Sequence, residues 1–378
     1  MFEDDVLGFK PEDLSVLSER NDKVKPQGNP HIYHTRPAES KSEDGRYRCT
    51  IKVVYNPFNL KESILEQQSY TIHDAHGWLT LVSSLTVNDT SCPIFKAWKK
   101  CHYAKKEENF NLWRQAAKEE EGGRELFDKR FARYAVIQVL EDVNHPENVN
   151  KFMLWKLPKT VYELINAKQK PSKESKKAPI PVMDFLFGRS IDIEVVPGDG
   201  EPGSEKYNRD TKYIAELSED VVSCVNPDGS PLLNDAQQEI LNKYVSQIKE
   251  VWKEKEPSIR AEKKAIIDAD PNTAELGKIY NGIVIPAIKK VCPNLLEELG
   301  YKPWTAEQTA RVQNWIDIVL AGNDPAEASV APAAAATVGT TTTTESANIP
   351  STPSVPTSSV QAETISVQEE DNNDDLPF

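Results

Sequence analysis

The chain has 378 residues, 28% of them charged, and a formal charge of −14. Its five cysteines are scattered and odd in number, which makes no disulfide framework and fits a reducing compartment. The opening Met1-Phe2-Glu3-Asp4-Asp5 lacks the basic and apolar regions of a secretory leader. No apolar run approaches the ~20 residues of a membrane span, so a cytoplasmic protein with no membrane partner is expected.

Residues 1–45 are polar and Pro-dotted, the composition of a loosely ordered arm with room for one short helix after Pro11. Strand character begins at Tyr47 and stops at Asn56-Pro57. Further strands are expected over Gln68 to His73, Trp78 to Thr86, Arg133 to Leu140, Lys151 to Leu157 and Ser190 to Val196, with Tyr213 to Leu217 as one more. A Lys-rich helical insertion (Pro93 to Lys118) and a short helix (Lys159 to Ala167) lie between them. Five to seven short strands without a βαβ rhythm suit an α+β protein built on a small barrel. From Asn234 the apolar period turns helical through Ile240, Leu241, Tyr244, Val245 and Ile248, with Asp235 as the expected cap. Helices should continue to about Leu320, broken at Pro257, Pro271, Pro286 and Pro303. The expected division is an arm (1–45), a core (46–230), a helical extension packed on it (231–321) and a linker with an acidic tip (322–378).

From Ala321 onward there are nine carboxylates and no Lys or Arg; taking those nine from −14 leaves −5 on residues 1–320. The net acidity therefore does not exclude a polyanionic ligand, for which local clustering matters. Signatures of catalysis are missing. Neither Gly122-Gly123 nor the Gly-rich stretch 197–203 continues as a phosphate-binding loop, and no Gly-x-Ser-x-Gly or His-Glu-x-x-His occurs. No enzyme and no small-molecule substrate is expected.

Basic residues interleaved with aromatics do recur. One series runs Phe95, Lys96, Trp98, Lys99, Lys100, Tyr103, Lys105, Lys106, Phe110, Trp113, Arg114, and resumes as Phe127, Lys129, Arg130, Phe131, Arg133, Tyr134. Lys151 to Lys177 holds eight Lys against two Glu, with Phe152, Trp155 and Tyr162 among them. Single-stranded DNA calls for this mixture, since cations follow phosphates while exposed rings stack on bases of any identity. Phe95, Phe110 and Phe131 are expected in the core; Tyr134, Trp155 and Tyr207 are expected to stack.

The order of motifs in mid-chain adds a resemblance. Ser91-Cys92-Pro93-Ile94, Lys129-Arg130 and Tyr134, His145-Pro146-Glu147-Asn148, Lys151 to Lys159 with Tyr162, Asp184 to Arg189, and Lys206-Tyr207-Asn208-Arg209 follow one another. Over roughly residues 45–220 this resembles the helix-destabilising, single-stranded DNA-binding proteins of T-even-type tailed phages. The resemblance implies an OB-fold-like barrel, a replicative role in an infected bacterial cell, and DNA contacts from Lys129, Arg130, Tyr134, Trp155, Lys156 and Tyr207. The basic–aromatic pattern adds Lys99, Lys100, Tyr103, Lys105, Lys106 and Arg133, and the resemblance's aromatic loop adds Arg209 beside Tyr207. That family also holds a structural zinc through a Cys-Pro-x-Cys pair, where this chain has Cys92-Pro93-Ile94-Phe95. Cys101 and His102, with Cys92 and His73 or His76, make a poor tetrahedral substitute, so no metal or other cofactor is expected.

The end of the sequence, Asp374-Asp375-Leu376-Pro377-Phe378 behind Glu369, Glu370 and Asp371, resembles the tip by which bacterial single-stranded DNA-binding proteins recruit replication, recombination and repair enzymes. A terminal ring can enter an apolar pocket while carboxylates meet a basic rim. Two rivals use the same residues differently. One is a recombination mediator that anneals strands in the same cleft. The other is a metal-dependent nuclease carried by Asp184, Asp192 and Glu194.

Overall fold

The computed structural model describes residues 29–327, except positions 203, 205, 206, 208 and 209 and the side chain of Lys173. The helix expected after Pro11 and the acidic tip lie outside the described residues. The architecture is α+β, with eight strands in one mixed sheet. They are β1 (Ile32–Tyr33), β2 (Tyr47–Val54), β3 (Ile64–Asp74), β4 (Gly77–Val82), β5 (Asp128–Asp142), β6 (Phe152–Lys156), β7 (Gly188–Val196) and β8 (Lys212–Val222). Pairing follows the path β1-β6-β5-β2-β7-β8, with β3 on β5 and β4 on β3. No pairing among the described residues joins the ends of this path, so the sheet is open where a hydrogen-bonded ring was expected.

The spine is β5, whose 15 residues span roughly 50 Å at about 3.3 Å each. Along one edge it pairs first with β3 (Asp128 to Ala135 against Ile64 to Thr71), then with β2 (Val136 to Asp142 against Cys49 to Val54). Its other edge takes β6. Period-2 alternation sends Ala135, Ile137 and Val139 to one face and Val136 to the other. The first face packs with Ile51, Val53, Met153 and Trp155 under helix α3 (Lys159–Gln169), which contributes Val161 and Ile165. On the second face, Val54, Phe152 and Leu154 meet the later helices through Leu241, Leu276, Ile279 and Ile288. Both faces of the sheet's centre are therefore covered, and Phe152 to Trp155 are all buried.

The Lys-rich insertion folds as two helices, α1 (Pro93–His102) and α2 (Phe110–Ala116). Asn109 separates them, its side chain accepting from the Leu112 amide at 3.1 Å as an N-cap. Strand β4 is shorter than the run Trp78 to Thr86 suggested, because Ser83 caps a 3-10 turn (Ser84–Val87) by accepting from the Leu85 amide. The described end of the arm, from residue 29, joins the sheet. Ile32 and Tyr33 pair in parallel with Leu154 and Trp155, and the Tyr33 hydroxyl donates to buried Asp142 at 2.7 Å.

The helical region comprises α4 (Asp235–Lys253), α5 (Pro257–Asp268), α6 (Pro271–Ile279), α7 (Ile285–Val291), α8 (Leu295–Leu299) and α9 (Ala306–Leu320). The cap of α4 is Asn234, one residue before the expected Asp235. Asn234 and Gln237 exchange side-chain and backbone hydrogen bonds at 3.0 and 3.1 Å in a capping box. Pro257 and Pro271 open α5 and α6 at the first helical position, where a missing N–H costs nothing. Pro286 breaks nothing: a π turn (Tyr280–Val284) precedes it and carries the chain directly into α7. The last helix returns to the β3–β4 hairpin. There the indoles of Trp304 and Trp315 donate to the carbonyls of Val82 and His73 at 2.9 and 3.0 Å. No helix among the described residues is long and apolar enough to cross a membrane.

Candidate nucleic-acid interface

β5 is longer than the core beneath it. The face that carries Ala135, Ile137 and Val139 inside carries Lys129, Phe131 and Arg133 beyond the core's edge. Phe131, expected inside, is 44% exposed. The Arg133 guanidinium lies 4.7 Å from the Phe131 ring centroid and 4.1 Å from that of Tyr162 on α3. Its Nε donates to Glu66 on the paired strand at 2.8 Å. The guanidinium is thus fixed between two rings, with an exposed Phe and the exposed ammonium of Lys129 farther along the same face. A cation and a ring held side by side are the two groups a stacked base and its phosphate require.

Other expected contacts fall elsewhere. Arg130 points to the opposite face and is tied to Asp128 at 2.7 Å. Tyr134, farther along that face, is half-buried against the helices, and burial raises its phenol pKa. Lys156 is exposed and stands opposite Tyr134 in the β5–β6 register. Trp155 is a correction: at 2% exposure, edge-on to Tyr213 at 6.4 Å, its ring is core and offers no face to a base. Tyr207 is likewise 8% exposed, and Arg209 lies outside the described residues.

The insertion forms a second basic–aromatic surface. Lys99 sits 4.7 Å from the Phe95 ring centroid, and Lys106 sits 4.5 Å from that of Trp113. Lys100 is exposed, Lys105 pairs with Glu108 at 2.8 Å, and Tyr103 is 72% exposed. Phe95 is half-buried as a packing residue against the α1–α9 cluster, whereas Phe110 is exposed, contrary to the core position expected for it. Sequence reading also missed Trp78, 70% exposed at the β3–β4 turn and stacked on His73 at 4.3 Å. The signal available was Gly77, whose positive φ of 94° puts a tight turn immediately before that ring.

The carboxylates of the nuclease reading do not converge. Asp184 is buried, accepting from the Leu186 and Phe187 amides and from the Tyr280 hydroxyl at 3.2 Å. Burial raises its pKa. Asp192 accepts from Thr50 on the sheet face, and Glu194 is bound by Arg46 and Arg48. Cys92 and Cys101 are buried in an apolar cluster, while His102 is exposed and stacked on Trp98. Among the described residues, no three His, Cys, Asp or Glu side chains are grouped as metal ligands. No protein-family model matches the chain, and no curated protein matches it.

Proposed function

We propose that this protein binds single-stranded DNA, coating exposed strands by phosphate neutralisation and base stacking. The observation that carries the reading is the outer half of β5, where Lys129, Phe131 and Arg133 share one face with Tyr162 beside them. Rings stack on bases of any identity, so the mode of binding is tolerant of sequence. It proceeds by equilibrium binding, with no covalent step and no cofactor. The finer description is an OB-fold-like module serving replication, recombination and repair in the cytoplasm of an infected bacterial cell; the order of motifs in residues 45–220 supports it. Affinity for single strands should exceed that for duplex. For four to six neutralised phosphates, log K against log salt should fall with a slope of roughly −3 to −4. Titration with poly-dT at several salt concentrations measures this; equal affinity for duplex, or a slope near zero, would falsify the reading.

Recruitment of other replication proteins is proposed for the acidic run closed by Leu376-Pro377-Phe378, on its sequence alone. Phe378 is the anchor and the carboxylates are the competitors. Removing Phe378 should therefore abolish capture of bacterial proteins that recognise a Pro-Phe end while leaving DNA affinity unchanged. Removing the last ten residues should also raise single-strand affinity at low salt, because a tethered polyanion that competes with DNA has been removed. Pull-downs and DNA titrations of the three chains check this. Identical captured sets for the intact chain and the Phe378 deletion would leave the run without a recruiting role.

A further inference from the structure

Residues 93–118 carry seven Lys or Arg against two Glu, a local charge of +5 on a chain of −14. Where α1 ends and α2 runs into Glu121, an open cavity of about 270 Å³ is lined by His102, Trp113, Ala116, Ala117, Lys118 and Glu121. A series of stacked rings leads to it. Phe95 and Trp98 lie 5.9 Å apart at 11°, and Trp98 and His102 lie 4.6 Å apart at 16°. His102 is exposed at the end of that series, while Lys106 rests on the ring of Trp113, which also lines the cavity.

We propose that this cavity is a base-binding subsite that selects for an exocyclic amino group, an inference that rests on the single-strand binding proposed above. Two lining rings, His102 and Trp113, suit a flat aromatic ligand, and the two lining alanines add little bulk. Lys106 and Lys118 flank the position for the attached phosphate. The remaining lining group is Glu121, whose ionised carboxylate only accepts hydrogen bonds. Cytosine and adenine present an amino donor, at N4 and N6, whereas thymine presents the O4 acceptor. Glu121 therefore favours the first two, whose amino group it can accept from, over the third, which sets an oxygen there. A surface otherwise indifferent to sequence gains a preference at one position.

The test uses the full chain and two oligonucleotides of equal length, all-dT and dT carrying dC at alternate positions, at one salt concentration. The dC-containing strand should bind about threefold to tenfold more tightly. Glu121→Ala should erase that ratio without weakening all-dT. His102→Ala should weaken both strands by at least about fivefold, and His102→Phe should restore them by returning a ring. Both side chains are exposed, so melting temperatures should not move. Equal binding of the two strands by the intact chain, or a ratio that survives Glu121→Ala, overturns the amino-group selection. Unchanged affinity in His102→Ala overturns the subsite while single-strand binding stands. If the intact chain binds neither strand, the proposed function itself fails, and the subsite with it.

Discussion

Trp155→Ala should destabilise the protein by about 3–5 kcal/mol, the range for deleting a buried Trp side chain. The ring lies in the same cluster as Tyr33, Ile51, Val53, Ile137, Val161 and Ile193, in the centre of a sheet covered on both faces. A cavity there cannot collapse easily, because rigid strands and α3 wall it on each side. Phe131→Ala should do the opposite. Its ring is 44% exposed, so stability should change by less than about 1 kcal/mol while single-strand affinity falls by about 1–3 kcal/mol. The salt slope should be unchanged in the Phe131 variant, because no cation has been removed. Denaturant melts and poly-dT titrations on both variants separate these effects. If Trp155→Ala loses affinity at full stability, the stacking role belongs to the tryptophan and the β5 surface has been misassigned.

The exchange of roles between Trp155 and Phe131 shows which part of the site was legible. Strand character was readable from alternation, and each expected strand overlaps one of β2 to β8. Which face of a strand meets solvent is decided by what packs over it. Phe152-Met153-Leu154-Trp155 does not alternate with polar residues, which marks a strand buried on both sides. The adjacent Lys151 and Lys156 drew Trp155 toward an interface reading, although they only cap the buried run. Phe131 shares parity with Ala135, Ile137 and Val139, so alternation alone assigns it to the core. It is exposed because β5 outruns its helix cover, a fact of strand length and tertiary packing. The strand at the described end of the arm was not legible for a related reason. The arm's composition is polar, yet Tyr33 pairs with β6 and donates to Asp142, about a hundred residues away in the chain and shared with Tyr47 of β2. The barrel expectation rested on strand number, the absence of a βαβ rhythm and the resemblance over residues 45–220, none of which specifies which strand edges pair.

Arg311→Met should destabilise the protein by about 3–5 kcal/mol at neutral pH, because it strands a buried charge. Arg311 on α9 donates to both oxygens of Asp74 at 2.8 and 2.7 Å and to the Gly77 carbonyl at 2.7 Å. Asp74 is buried at the end of β3 and has the His76 amide as a further donor. Burial pushes its carboxyl pKa up, but the hydrogen bonds from Arg311 and His76 outweigh it, and the pKa lies below the ordinary value. A carboxyl depressed by folding contributes stability that is present above the unfolded pKa of about 3.9 and is lost as pH falls through the folded value. Without the guanidinium only the His76 contacts still oppose burial, so the sign is expected to reverse, with the Asp74 penalty full at neutral pH and relieved on acidification. The stability gap between the two proteins should therefore narrow from pH 7 toward pH 4. Asp74→Leu combined with Arg311→Met should recover most of the loss, since no orphan charge remains. The same contact pins the hairpin that holds Trp78 and that places β3 beside the outer half of β5. Amide exchange in β3 and β4 should rise in Arg311→Met before that in β2 or β7. Urea melts across pH decide the matter: a double variant as unstable as the single one would assign the cost to lost packing of the arginine stem.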